Sequence, residues 1–344
     1  MSEAGLEYLL AQRGSGRELG AHVAALAFDA AGTAGFGLGD GTVHQVASLD
    51  APWRASQVAD GAVLAICADA APAGFVFGGD DGGFVRIGMD GDRADLGRWP
   101  GKWVEHVAGI GRGRDGVLAC TVGRKLHLFG ADGAALKTLD HPSTVTGLAF
   151  DGKGKRVAAS HYNGASLWFV ASKSDNPRRL EWKGSHTGLA LHPSGEAVVT
   201  AMQENELHGW RLADGQHMRM SGYPTKTESL SFSRGGKWLA SSGADAVVLW
   251  PFFGGGPMGR APTELAGGRG VLCTRVACHP QHELCAAGFD DGMVLLADIN
   301  SGSVLPVAPA EHGSITALAW NANGARLAFG TETGFAALVD LSAR

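Results

Sequence analysis

Residues 22–46 read HVAALAFDAAGTAGFGLGDGTVHQV. Short apolar runs with alternation inside them predict three strands, at 23–28, 34–37 and 42–46. The turns fall at 29–32 and at Asp40-Gly41, where Asp and Gly supply the side-chain bond and the positive φ that tight reversals need. None of the three runs is long enough for a stable helix.

The same pattern recurs down the chain. Further copies open near Ala62, Trp103, Ser143, His186, Lys226, Val271 and Ser314, about 40–45 residues apart. Between them lies room for a fourth strand in each unit, at 53–58, 94–99, 134–139, 178–182, 216–220, 262–265 and 304–307. The last unit has no such segment before Arg344, whereas residues 17–20, or a stretch a little earlier, precede the first unit where a strand of that kind belongs.

These units resemble WD-repeat (WD40) units. His22, His141, His186 and His312 match the family's His before the first strand. Asp40-Gly41, Asp81-Gly82, Asn163-Gly164 and Asp291-Gly292 match its turn. Trp210 and Trp250 match the terminal Trp, and Asp298 and Asp340 the terminal Asp. No unit carries the whole set, and those at Ala62 and Trp103 are the most degenerate. The resemblance implies an all-β fold, a single closed β-propeller. Eight units imply eight four-stranded blades, with seven, the number commonest in the family, as the alternative. An N-terminal strand completes the last blade and closes the ring, removing a sheet edge. Residues 1–16 are then an N-terminal extension and 17–344 the propeller. The family's His-Ser/Thr-Asp-Trp network is expected to be incomplete in every blade, leaving apolar packing between blades to carry more of the stability.

Composition narrows the function. The chain of 344 residues is 45% hydrophobic, which excludes a disordered chain. Its net charge of −5 gives no overall footprint for nucleic acid. Residues 1–20 carry Glu3 and Glu7 and lack a basic leader, and no apolar run approaches a bilayer span. The five cysteines, an odd number sitting mostly in strand patterns, read as free thiols of a reducing compartment. The expectation is a cytoplasmic, monomeric protein with no membrane partner. Abundant Gly and Ala point to a bacterial source.

Candidate chemistry is sparse. His44, His127 and His208 share one third-strand position, but their units are not neighbours and the three rings cannot meet on one ion. Cys278-His279-x-x-His282-x-x-Cys285 is the best local ligand cluster, yet its cysteines fall at strand positions and His279-Pro280 matches the turn His192-Pro193. Gly111-x-Gly113-x-x-Gly116 has the letters of a dinucleotide loop without the helix that would present it. Asp90, Asp92 and Asp95 lack the Gly and Glu spacing of a calcium loop. No nucleophile elbow or H-E-x-x-H is present. The reading is a non-enzymatic protein without cofactor or metal.

The resemblance implies a protein–protein interaction scaffold that holds a protein or peptide on one loop face. Residues there suited to recognition are Lys102, Trp103, His161, Tyr162, Gln203, Tyr223, Lys226, Arg269 and Asp290. On the opposite face, loop 251–262 exposes Phe252 and Phe253 either to packing on the outer strand or to a partner. The fourth unit is locally basic, with Lys153, Lys155, Arg156, Lys173, Arg178, Arg179 and Lys183. The alternatives are a small-ligand or metal-binding propeller and, further off, a propeller enzyme of the quinone-dependent dehydrogenase kind.

Overall fold

The computed structural model describes residues 7–71, 73–88, 90–268 and 270–342. The opening stretch forms the strands Val23–Phe28, Ala34–Leu38 and Thr42–Val46, followed by Arg54–Gln57 as the fourth. Every later unit repeats this antiparallel set, and the sheets stand around one axis as a β-propeller. The described residues hold only short helical pieces, the α-helix Leu9–Arg13 and the 3-10 turn Gly113–Asp115. No helix among them is long and apolar enough to cross a membrane.

The ring closes as expected from the N-terminus. Gly14–Glu18 pairs antiparallel with Phe335–Asp340, from Gly14 opposite Val339 to Glu18 opposite Phe335. The strand begins at Gly14, a little before residue 17, and Leu9 of the helix before it is buried with Val307 and Val339.

The count of separate sheets corrects the expectation of eight. The strands form seven sheets, six of four strands and one of six. The degenerate units at Ala62 and Trp103 are not the cause, since both build regular four-stranded sheets. The difference lies in the fourth and fifth units, where Arg156–Phe169 and Arg178–Leu191 each run fourteen residues. The first half of Arg156–Phe169 pairs with Gly147–Phe150 and its second half with Arg178–Glu181. The later half of Arg178–Leu191 pairs with Ala197–Met202. Tyr162, at the turn, also pairs across to Ser185, and this bridge welds the two units into one sheet. The reversals between the halves use Asn163 at φ 67° and Gly184 at φ 122°, left-handed values that favour Asn and Gly.

One buried residue anchors each innermost strand: Val23, Val63, Val104, Val145, His186, Thr227, Cys273 and Ile315, all at most 1% exposed. Just after the anchor, the register slips by a bulge at 23/25, 63/65, 104/106, 186/188, 273/275 and 315/317. The bulged residue is then free to turn toward the next unit. Thr274 and Thr316 use it to donate their hydroxyls to the carbonyls of Ile315 and Val23, at 2.7 and 2.6 Å, and Thr146 bonds the His186 carbonyl in the same way. Apolar clusters fill the joints between units, as where Phe36, Leu38 and Val46 meet Ala317, Ala336 and Leu338 across the closure.

On the face opposite the second-to-third turns, side chains stitch several of the turns to the next unit. His192 Nε2 donates to the Gly236 carbonyl at 2.9 Å and His279 Nε2 to that of Gly324 at 3.0 Å. Arg156 reaches Gly195, Arg234 reaches Gln281 and Arg326 reaches Gly32. Asp29 accepts the Gly74 amide at 3.0 Å.

Candidate functional site

The antiparallel order of each unit puts the second-to-third turns and the fourth-to-first connections at the same end of the ring. Two large aromatics stand out from that face. Trp103 and Tyr162 are each 58% exposed. Trp103 sits in the connection just before Val104–Ile110, with Lys102 exposed beside it. Tyr162 is pinned by its own amide, which donates to Ser143 Oγ at 2.9 Å, and by the left-handed Asn163 that follows. Gln203 and Asp290 are also exposed, but the Asp290 carboxylate already caps the Leu272 amide at 2.8 Å.

Two residues expected on this surface are interior instead. Tyr223 is 8% exposed, and its hydroxyl accepts from Trp250 Nε1 at 2.6 Å and donates to Ser241 Oγ at 2.5 Å, which passes its own proton to the Val248 carbonyl. A Tyr here does the work that the family pattern gives to a His. Burial pushes its pKa up to about 12. His161 is 6% exposed, donates from Nδ1 to the Tyr162 carbonyl and accepts at Nε2 from Ser166, both at 2.9 Å. The Nδ1–H assignment follows because a carbonyl can only accept. Lys226 is half-buried and leans on Glu228. Arg269 lies outside the described residues.

His161 and Tyr162 are brought together in a groove of about 600 Å³ with Ser143, Arg179 and Lys183. The joint beside it is packed differently from the others. The Trp99 and His141 amides each donate 2.9 Å bonds to a carbonyl at the second-to-third turn of their own unit, Gly82 and Arg124, so the two residues are equivalent. Trp99 packs on His127 of the next unit, 4.7 Å between centroids, and Trp182 on His208 at 4.0 Å. Between the third and fourth units the matching residues are His141 and Ser166. His141 turns instead onto Trp168, 4.6 Å away, and Ser166 is buried beneath the groove, bonded to His161. His141 Nε2 is buried there without a partner among the described residues.

Lys226 belongs to a second recess of about 510 Å³ at the axis, with His106, Thr146, Thr187, Glu228 and Arg275. Arg275 pairs with Glu228 at 2.9 Å and donates to the Thr316 carbonyl at 2.7 Å, tying three units together. Burial pushes His106 down to about 4 and raises Glu105 above the usual carboxylate range.

Phe252 and Phe253 behave differently from each other. Phe252 is half-buried and meets Phe232 edge-on at 5.0 Å. Phe253 stays 45% exposed against Trp238, with the Arg260 guanidinium 5.0 Å over its ring. Both line a cleft of about 340 Å³ that reaches His192 and Met218 of the fifth unit.

The metal-like patterns resolve into packing. His127 and His208 are plugs between units, while burial lowers the pKa of His44 against the opposing charge of Asp40, with Arg17 of the closing strand lowering it further. His279 has both nitrogens engaged, Nε2 with Gly324 and Nδ1 with the amides of Gln281 and His282 at 2.9 Å. Cys278 and Cys285 face each other as cross-strand partners, both as free thiols. Among the described residues no three potential ligands converge.

Residues 276–343 match the family described as the anaphase-promoting complex subunit 4 WD40 domain. The chain is 28% identical over 138 residues to the WD repeat-containing protein slp1 of Schizosaccharomyces pombe, covering 38% of this chain and 27% of that protein. It is 25% identical over 188 residues to telomerase protein component 1 of Mus musculus, covering 52% of this chain and 7% of the other. The chain thus spans only a minor part of the length of these relatives. The crystal structure of the computationally designed Ika8 protein superposes with a TM-score of 0.74 at 20% identity, over 94% of this chain and 98% of that one. That likeness is one of fold alone.

Proposed function

We propose that this degenerate WD40-repeat β-propeller is a non-enzymatic scaffold that holds a protein or peptide partner on its loop face. The observation that carries the reading is the paired exposure of Trp103 and Tyr162, 58% each, on one face. Burying a side chain of that size is worth roughly 1.5–3 kcal/mol, and Trp and Tyr are the residues that dominate interface energetics. Lys102 and Gln203 add polar contacts on the same face, while His161 and Tyr223 support it from beneath. The ring itself is a rigid mount, cross-bonded at the bulges and at the opposite turns.

The relatives support the same role. One match is to a domain named as a subunit of a complex, another to a protein named as a component. The five free cysteines fit a reducing, cytoplasmic setting, and the closed ring fits a monomer. Affinity capture from the native host's lysate tests the reading. Wild type should recover a stoichiometric protein that the Trp103→Ala/Tyr162→Ala variant, folded by circular dichroism, does not. A partner recovered equally by both would remove the site from this face.

A further inference from the structure

Resting on that scaffold reading, we infer that the groove beside Tyr162 takes an extended peptide segment with two acidic residues four positions apart and a bulky apolar residue between them. Three observations converge on it.

The first is shape. The groove encloses about 600 Å³ and is lined by the exposed Tyr162 ring, with His161 and Ser166 buried beneath it. A partner's ring there would pack on the exposed face of Tyr162.

The second is charge. Residues 143–184 hold seven basic and three acidic residues in a chain of net charge −5. Two of the three acids are spent, Asp151 on Arg156 and Asp175 on Lys137. Arg179 and Lys183 are exposed and form no ion pair with a described residue. Arg179 stands opposite Ser166 in the sheet and close enough to His161 to depress its pKa further, after burial.

The third is spacing. Arg179, Glu181 and Lys183 alternate with Leu180 and Trp182, so they share one face of their strand. Four residues of extended chain span about 13 Å, so a partner strand of the same period sets two acids against Arg179 and Lys183. Glu181 stands between them and disfavours a third acid at the middle position. The middle position is where the apolar residue goes.

Fluorescence anisotropy with a labelled Glu-Ser-Trp-Ser-Glu peptide at low salt tests this. Wild type should bind it at least about tenfold more tightly than the Lys-for-Glu peptide or the Ala-for-Trp peptide. Arg179→Glu/Lys183→Glu should lose at least about tenfold in affinity, with its melting temperature unchanged because both side chains are exposed. Equal binding of acidic and basic peptides, or wild-type binding by the reversed variant, overturns the inference. So does competition by a single-stranded oligonucleotide lost on charge reversal, which assigns the groove to nucleic acid. A lysate partner that needs Trp103 and Tyr162, with no binding of the acidic peptide, leaves the scaffold standing and removes this segment class.

Discussion

Trp182 and His208 lie face to face, with ring centroids 4.0 Å apart and planes 13° from parallel. The contact joins the fourth unit to the fifth, and His208 continues it to His217 through a 2.9 Å ring-to-ring hydrogen bond. His208 Nε2 carries the proton, since Nδ1–H would otherwise be a buried donor with no acceptor. Histidine here is an uncharged packing element.

That role makes stability depend on pH. Burial, with repulsion from His217 next, pushes His208 from 6.5 down to about 3, and burial with repulsion from His161 pushes His141 to about 4. Below 6.5 the unfolded chain binds protons at these sites while the fold does not. The stabilisation is therefore full above 6.5 and declines as pH falls toward those lower values. At about pH 5 each histidine costs roughly 2 kcal/mol. Urea denaturation at about pH 7.5 and pH 5 should show this loss, and His208→Phe should reduce its slope. A pH-independent midpoint would refute the assignment.

Tyr223→Phe separates structure from recognition. The substitution strands Trp250 Nε1 and takes the donor from Ser241 Oγ, both buried, and should cost about 1–3 kcal/mol. Capture of the partner should persist at a temperature where the variant is folded. Lost capture by a folded variant would return Tyr223 to the binding surface.

Removal of residues 1–18 takes away the strand that covers Phe335–Asp340. The bared edge should lower the melting temperature and produce oligomers by size-exclusion chromatography, because an unpaired strand edge templates association. A monomer of unchanged stability would show that the closure is not needed.

Most of the architecture was legible because it repeats. The strand 42–46 and the fourth strands follow from alternation and from Asp-Gly or Asn-Gly turns, even in the degenerate units at Ala62 and Trp103. The weld between units four and five was not legible, since it depends on Tyr162 meeting Ser185 across a turn that looks like any other. The site was legible in part. Trp103 and Tyr162 stand out in the sequence, but Tyr223 reads as a surface aromatic until its hydroxyl is seen between Trp250 and Ser241. Ser166 gave no signal at all. Its role is to hold the His161 ring beneath Tyr162, which only the folded packing shows.

Hydrogen–deuterium exchange on the protein with its captured partner tests the central claim most directly. The account predicts slowed exchange in the connection before Val104 and in the turn after His161, with loop 251–262 unchanged. Protection confined to loop 251–262, around Phe253, would contradict it and move the binding surface to the opposite face.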